Sequence, residues 1–252
     1  MSRALALVTG SYRRLGACIA LQLARTGWDV ALHATREGVP DDALLRSIAA
    51  TGAACEYFHA DLADPVAVRG LIPDVAARFG RSVALLVNNA SCFRANDAAT
   101  PSPESLAAHF AVNAAAPFVL ATELAAQGGR AVINILDQRI AHPHADQLAY
   151  TLSKQALAEA TRTLALALAP TVRVNGVAPG LTLSTEDYAE GQVARLAAMM
   201  PLRRLPTPDD VADAVLFLAG AGASTGQILF VDGGAGLVRF ERDFVHLARD
   251  AD

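Results

Sequence analysis

The sequence predicts an α/β fold: one doubly wound parallel sheet of about seven strands, with helices on both faces. Two observations carry this. Short apolar runs alternate with longer amphipathic runs almost from end to end, the pattern of strand–helix–strand crossovers. In addition, 252 residues with 53% hydrophobic content can bury one sizeable core without dividing into domains. The chain therefore reads as a single domain over residues 1–252, with an inserted flap at about 181–204 and a tail at 237–252.

Each element has its own local reason. Residues 4–8 are a short apolar run, and Gly16 leads into a helix over 17–25, with Ile19 and Leu23 on one face and Gly27 as its stop. A second strand at 30–34 is followed by a helix over 41–50 closed by Gly52. A third strand at 55–60 precedes a helix over 65–79, with Pro65 at its start and Gly80 at its end. The fourth strand, 84–87, leads to one long Ala-rich helix over 103–127. A fifth, 131–136, leads to the helix that carries Tyr150 and Lys154. Strands at 172–177 and 228–231, with a helix at 208–218 between them, complete the sheet. Residues 181–204 interrupt the alternation, and the amphipathic tail gives no sign of what it covers.

Composition narrows the function. A net charge of −4 without basic runs argues against nucleic acid and anionic membrane as partners. No apolar run of membrane-span length or signal peptide is expected. Cys18, Cys55 and Cys92 lack any Cys-x-x-Cys spacing, which suggests a reducing, cytoplasmic setting. His142 and His144 flank Pro143 and read as solvated, with no third ligand spaced for a metal.

The strand ends hold the chemistry, since such sheets bind ligands at the carboxyl ends of their strands. The first strand ends in Thr9-Gly10, and a turn through Arg13, Arg14, Leu15 and Gly16 opens a helix whose N–H groups can face a pyrophosphate. The second ends in Ala34-Thr35-Arg36, with no acid to hold a ribose 2′-hydroxyl. Arg13 and Arg36 suit the 2′-phosphate of NADP, the alternative being that both are solvated surface charges. Asp61, followed by Leu62, could accept from the adenine amino group. Asn88-Asn89-Ala90-Ser91 end the fourth strand. Tyr150 and Lys154, four residues apart, share a helical face, where an ammonium could lower the proton affinity of a phenol.

Taken together these residues resemble the short-chain dehydrogenase/reductase family, over nearly the whole chain. The matching positions are Thr9-Gly10, Asp61, Asn88-Asn89-Ala90, Asn113, Tyr150/Lys154, Pro179-Gly180 and Val231-Asp232-Gly233-Gly234. The resemblance implies a Rossmann-type fold, hydride transfer from a nicotinamide, and Tyr150 as proton donor. It further implies Lys154 on the nicotinamide ribose lowering the tyrosine's pKa, and Asn113 supporting a water-mediated relay. Pro179, Gly180 and Thr182 would lie along the nicotinamide and phosphates, and the assembly would be a homotetramer.

Two departures sharpen it. Arg14 stands where the family's glycine turn has its middle glycine, and Asp137 stands where the catalytic serine would be, thirteen residues before Tyr150. With Ser91 and Phe93, both are similar to the pteridine reductases and dihydromonapterin reductases. That subgroup implies Arg14 reaching cofactor phosphate and pterin, Phe93 stacking on the pterin ring, and Asp137 working with Tyr150; Ser91 would also line the site. Chemistry supports this independently. An ionised aspartate cannot donate to a developing oxyanion, as a serine does in ketone reduction, but it suits protonation of a C=N nitrogen. The expectation is an NADP-dependent reductase of a pterin, dihydropterin or dihydrofolate. The alternatives are a ketone or 3-ketoacyl reductase of the same family, and an NADP-binding sensor without turnover.

Overall fold

A computed structural model describes residues 3–93 and 102–249. Its elements, in order, are β1 (Ala4–Val8), α1 (Arg14–Arg25), β2 (Trp28–Ala34), α2 (Asp42–Ala49), β3 (Cys55–His59), α3 (Pro65–Phe79) and β4 (Leu85–Asn88). After them come α4 (Pro103–Phe110), a π turn (Ala111–Ala115), α5 (Ala116–Ala126), β5 (Ala131–Ile135) and a short 3₁₀ turn (Gln138–Ile140). The chain continues with α6 (Leu148–Ala167), β6 (Arg173–Pro179), α7 (Gln192–Met199), α8 (Pro208–Gly220) and β7 (Ile228–Val231). All seven predicted strands are present. They form one parallel sheet in the order β3-β2-β1-β4-β5-β6-β7.

Alternation along each strand divides the core between the two faces. Ala6, Val8, Leu85, Val87 and Ile133 face α1, α2 and α8, while Leu5, Leu7, Leu86 and Val132 face α3, α5 and α6. Burying each Leu, Ile or Val contributes roughly 1.5–3 kcal/mol, so both faces must stay covered. The strand order reverses between β1 and β4, which opens a crevice at their carboxyl ends. There Gly10 adopts φ 64°, and a Cβ on it would come within 2.9 Å of Ala90 Cα. Glycine is required by both conformation and space.

Three expectations change. The single helix over 103–127 is broken in its hydrogen bonding by the π turn, which contains Asn113. That continuous stretch, Pro103–Ala126, is also long and apolar enough to cross a membrane by length and composition, contrary to the expectation that no run was. It packs on α3 and α6 here, with part of its surface, Phe118 included, left exposed. Finally, residues 181–204 contain α7, whose Leu196 packs with Met200 and with Phe244 of the tail. The tail thus covers this inserted segment.

Candidate active site

Asp137 stands two residues beyond the end of β5 and caps the 3₁₀ turn, its Oδ1 accepting from the Arg139 backbone N–H at 2.9 Å. The other carboxylate oxygen is left for Tyr150, whose hydroxyl donates to Oδ2 at 3.0 Å. Tyr150 and Lys154 lie on the inner face of α6 and are both buried, as their spacing requires. Beneath them Asn88 Nδ2 donates to Asn134 Oδ1 (2.8 Å), and Asn134 Nδ2 donates to Thr161 Oγ1 (2.9 Å), tying β4, β5 and α6 together.

The proton affinities here are strongly perturbed. Burial, and then the Asp137 charge, push the Tyr150 phenol well above its ordinary value. Burial lowers Lys154 to about 8. The Lys154 ammonium lies 5.8 Å from the centre of the Tyr150 ring. The Lys154 ammonium donates to the Ile135 carbonyl at 2.8 Å, and the cation that opposes Asp137 at the phenol is Arg139. Its guanidinium carbon sits 4.8 Å from the centre of the Tyr150 ring.

Asn113 is fully buried, and its side chain is committed. Oδ1 accepts from Cys92 N (2.6 Å) and Ser91 Oγ (3.2 Å), while Nδ2 donates to Cys92 O and Ser153 Oγ at 2.9 Å each. These bonds hold the loop after β4 against α6.

Around the reacting groups lies a cleft of about 630 Å³, lined by Arg13, Arg14, Ser91, Phe93, Asp137 and Tyr150 among others. A smaller compartment of about 280 Å³ adjoins it, where Leu15, Asn89, Lys154, Pro179, Gly180 and Thr182 meet. Phe93 is half exposed and meets Tyr150 edge to face, with ring centres 5.0 Å apart. Thr182 Oγ1 donates to Gly180 O at 3.0 Å. Asn89 Nδ2 donates to the carbonyls of Thr9 (2.9 Å) and Gly10 (3.0 Å), which fixes the glycine turn. A Cβ on Gly16 would overlap Gly10 O, so the turn opens onto α1 without a side chain in the way.

Arg13, Arg14, Thr35 and Arg36 are exposed at the ends of β1 and β2, and the three guanidinium groups make no ion pair among the described residues. Such a set of unpaired cations beside a glycine turn fits a dinucleotide with an extra phosphate. Asp61 accepts from Ala63 N at 2.9 Å while remaining exposed, and Leu62 is buried behind it.

Several functional residues escaped sequence reading. Arg139, Tyr188, Asp243 and Phe244 also line the cleft, the last two from the C-terminal tail. His144 was expected in solvent, yet its side chain is only 5% exposed and lies 3.9 Å from Asp243. His142 is exposed as expected. His33, buried and lowered to about 4 by desolvation, accepts from Gly10 N (3.2 Å) and contacts Ala60 O (2.9 Å), bracing the turn. No cluster able to hold a metal occurs among the described residues.

A family model described as enoyl-(acyl carrier protein) reductase matches residues 10–236. The chain belongs to the short-chain dehydrogenase/reductase family. Its place among these oxidoreductases rests on close relatives as well. An uncharacterized oxidoreductase of Mycobacterium tuberculosis is 38% identical, over 91% of this chain and 90% of its own. The 3-oxoacyl-[acyl-carrier-protein] reductase of Staphylococcus aureus is 31% identical over 91% and 96%. Among short-chain reductase structures, FolM alternative dihydrofolate reductase 1 of Brucella canis, complexed with NADP, superposes with a TM-score of 0.84. It is 36% identical and covers 94% of this chain and 96% of its own.

Proposed function

We propose that this protein is an NADPH-dependent reductase of a C=N bond in a pterin, dihydropterin or dihydrofolate. The observation that carries the reading is the Asp137–Tyr150 hydrogen bond in a position where a ketone reductase needs a neutral donor. NADPH, when bound, supplies the hydride. Arg13, Arg14 and Arg36 would hold its phosphates, Lys154 its nicotinamide ribose, and Pro179, Gly180 and Thr182 the stretch between. The likeness to the NADP complex of a dihydrofolate reductase supports both the cofactor and the substrate class.

The chain's own residues handle the proton. Tyr150 holds its hydrogen firmly, so a free phenolate is costly and a stepwise transfer is disfavoured. A concerted shift avoids it: Tyr150 gives its proton to the ring nitrogen while Asp137, ionised at rest, takes a proton from solvent and passes it to Tyr150 Oη. The same contact serves both states, since the phenol donates when Asp137 is ionised and accepts when it is not. Phe93 offers a half-exposed face for a flat ring. Apolar side chains exposed on α5 and α6, Phe118, Leu152 and Leu166, are suited to packing in a homotetramer.

A 3-ketoacyl reductase is the second reading, favoured by the Staphylococcus aureus relative. Asp137→Ser separates the two. It should lower kcat/KM on a dihydropterin at least tenfold and gain activity on a ketoacyl thioester, with both measured from pH 5 to 8. A serine variant that equals the parent on the dihydropterin at every pH would remove the proton-transfer role. A parent that already reduces the thioester well puts the second reading first.

A further inference from the structure

We infer that Arg139 is a positioning residue: clamped by Asp243 of the C-terminal tail, it aims Asp137 at Tyr150 and makes the tail part of the active site. The Arg139 side chain is 8% exposed and that of Asp243 is 6% exposed, and they pair at 2.6 Å. From the other edge of the guanidinium, Nε donates to Asp137 Oδ1 at 3.2 Å. With the Arg139 backbone N–H on the same oxygen, Oδ1 is saturated and Oδ2 is presented to Tyr150. The guanidinium plane thus bridges two carboxylates while covering the tyrosine ring, and Thr151 Oγ1 lies 3.5 Å from Nη1.

The clamp is itself built in. Asp243 accepts from Val245 N at 2.9 Å, and its own N–H donates to Asp146 Oδ2 at 2.8 Å. Further along, Gln192 Nε2 of α7 donates to Phe244 O (2.9 Å) and Leu247 O (2.7 Å), so the inserted segment and the tail dock together. A guanidinium this buried needs a carboxylate partner, because an unpaired charge there costs several kcal/mol. Asp137 alone would take it bidentately and turn Oδ2 away from Tyr150. Asp243 competes for it and keeps Oδ2 free. The charged and titratable groups facing this cluster are Tyr150 and Lys154 from α6, His144 and Asp146 from the loop before it, Tyr188 from the insert, and Asp243.

The inference rests on the proton relay proposed above, and opposite-sign variants test it in the full chain. The readouts are kcat and KM against pH from 5 to 9, with a dihydropterin and with a 3-ketoacyl thioester. A carboxylate that loses a neighbouring cation holds its proton to higher pH, and one that loses a neighbouring anion releases it at lower pH. Arg139→Gln should therefore move the falling limb of kcat up by roughly 1–3 pH units and lower kcat at least tenfold. Asp243→Asn should move the limb the other way, and Asp243→Glu should restore it. The KM for NADPH should stay within twofold throughout. Arg78→Ala, which removes only a surface pair with Glu56 far from the cluster, should leave the limb in place. Limbs that coincide in all variants overturn the inference, as do shifts of the same sign. If Arg139→Gln does not fold, the two Asp243 variants decide. A parent active only on the thioester ends the pterin reading, yet the opposite shifts are still required on that substrate. For a parent inactive on both, crystals of Asp243→Ala decide: the guanidinium should leave the Tyr150 ring, and finding it unmoved overturns the inference.

Discussion

Replacing Arg14 with glycine should stabilise the empty protein and weaken its ligands, two effects of opposite sign from one side chain. Arg14 opens α1 with φ 57°, in the left-handed region that costs a non-glycine residue roughly 1–2 kcal/mol. Its guanidinium is exposed and without a partner among the described residues, so nothing in the fold offsets that strain. Glycine relieves the strain but returns roughly 0.5–1 kcal/mol through its freer unfolded chain. The net gain is roughly 0.5–1 kcal/mol, or about 1–4 °C in Tm for a chain of this size. Against this, a charge-assisted hydrogen bond to phosphate or pterin is worth roughly 1.5–3 kcal/mol, about 10- to 150-fold in Kd. Thermal melting without ligand, and again with saturating NADPH and dihydropterin, reads both effects. Arg14→Gly should melt higher than the parent alone but show a smaller ligand-induced rise. Arg14→Ala keeps the strained backbone and should show only the second effect. A lower Tm for the empty glycine variant, or unchanged binding, would refute the reasoning.

Other consequences follow from single contacts. Arg36→Ala should weaken NADPH by roughly 1.5–3 kcal/mol while leaving NADH nearly unchanged; equal losses for both cofactors would place Arg36 away from the 2′-phosphate. Phe93→Ala should raise the KM for a dihydropterin by an amount worth roughly 1–3 kcal/mol with little change for NADPH, as steady-state kinetics can show. His33 is neutral in the fold, its pKa lowered by burial to about 4 from 6.5, so its stabilising effect is complete above pH 6.5 and is lost as pH falls toward 4. That loss amounts to roughly 3 kcal/mol, and denaturant titrations of His33→Gln should show a flatter dependence between those values.

What was legible in the sequence depended on how local its cause was. The seven strands were legible because each is a short apolar run between turn residues, and burial on both faces leaves few other patterns. Tyr150 and Lys154 were legible from their spacing on one helix face, and Asp137 from the family resemblance, since it stands where a serine is usual. The π turn at Asn113 was not, because its cause lies in tertiary partners: Ser91, Cys92 and Ser153 take up the side-chain bonds of a residue that looks like one more position in an Ala-rich helix. Helix α7 was hidden for a similar reason, since Leu196 finds its partner only when Phe244 folds back over it. His144 looked solvated beside Pro143, but it lies between Asp146 and Asp243, the latter from the far end of the chain. Arg139 and Asp243 are 104 residues apart, so no window of sequence contains both.

This separation has an energetic corollary that stability measurements can reach without any substrate. Each of Asp137→Ser and Asp243→Asn leaves Arg139 one carboxylate, so each should cost no more than a hydrogen bond to a charged group, roughly 1.5–3 kcal/mol. The double variant loses both bonds and, beyond them, leaves the guanidinium buried without any anion, a penalty that neither single variant incurs. The two changes should therefore be more damaging together than their sum, with a coupling of roughly 0.5–3 kcal/mol in a double-mutant cycle of unfolding free energies. Adding Arg139→Met to the double variant should recover most of the loss, because no charge then remains to be paired. Losses that add within roughly 0.5 kcal/mol would mean that Asp137 and Asp243 do not share one cation, and the tail would then be packing against the catalytic centre without being wired into it.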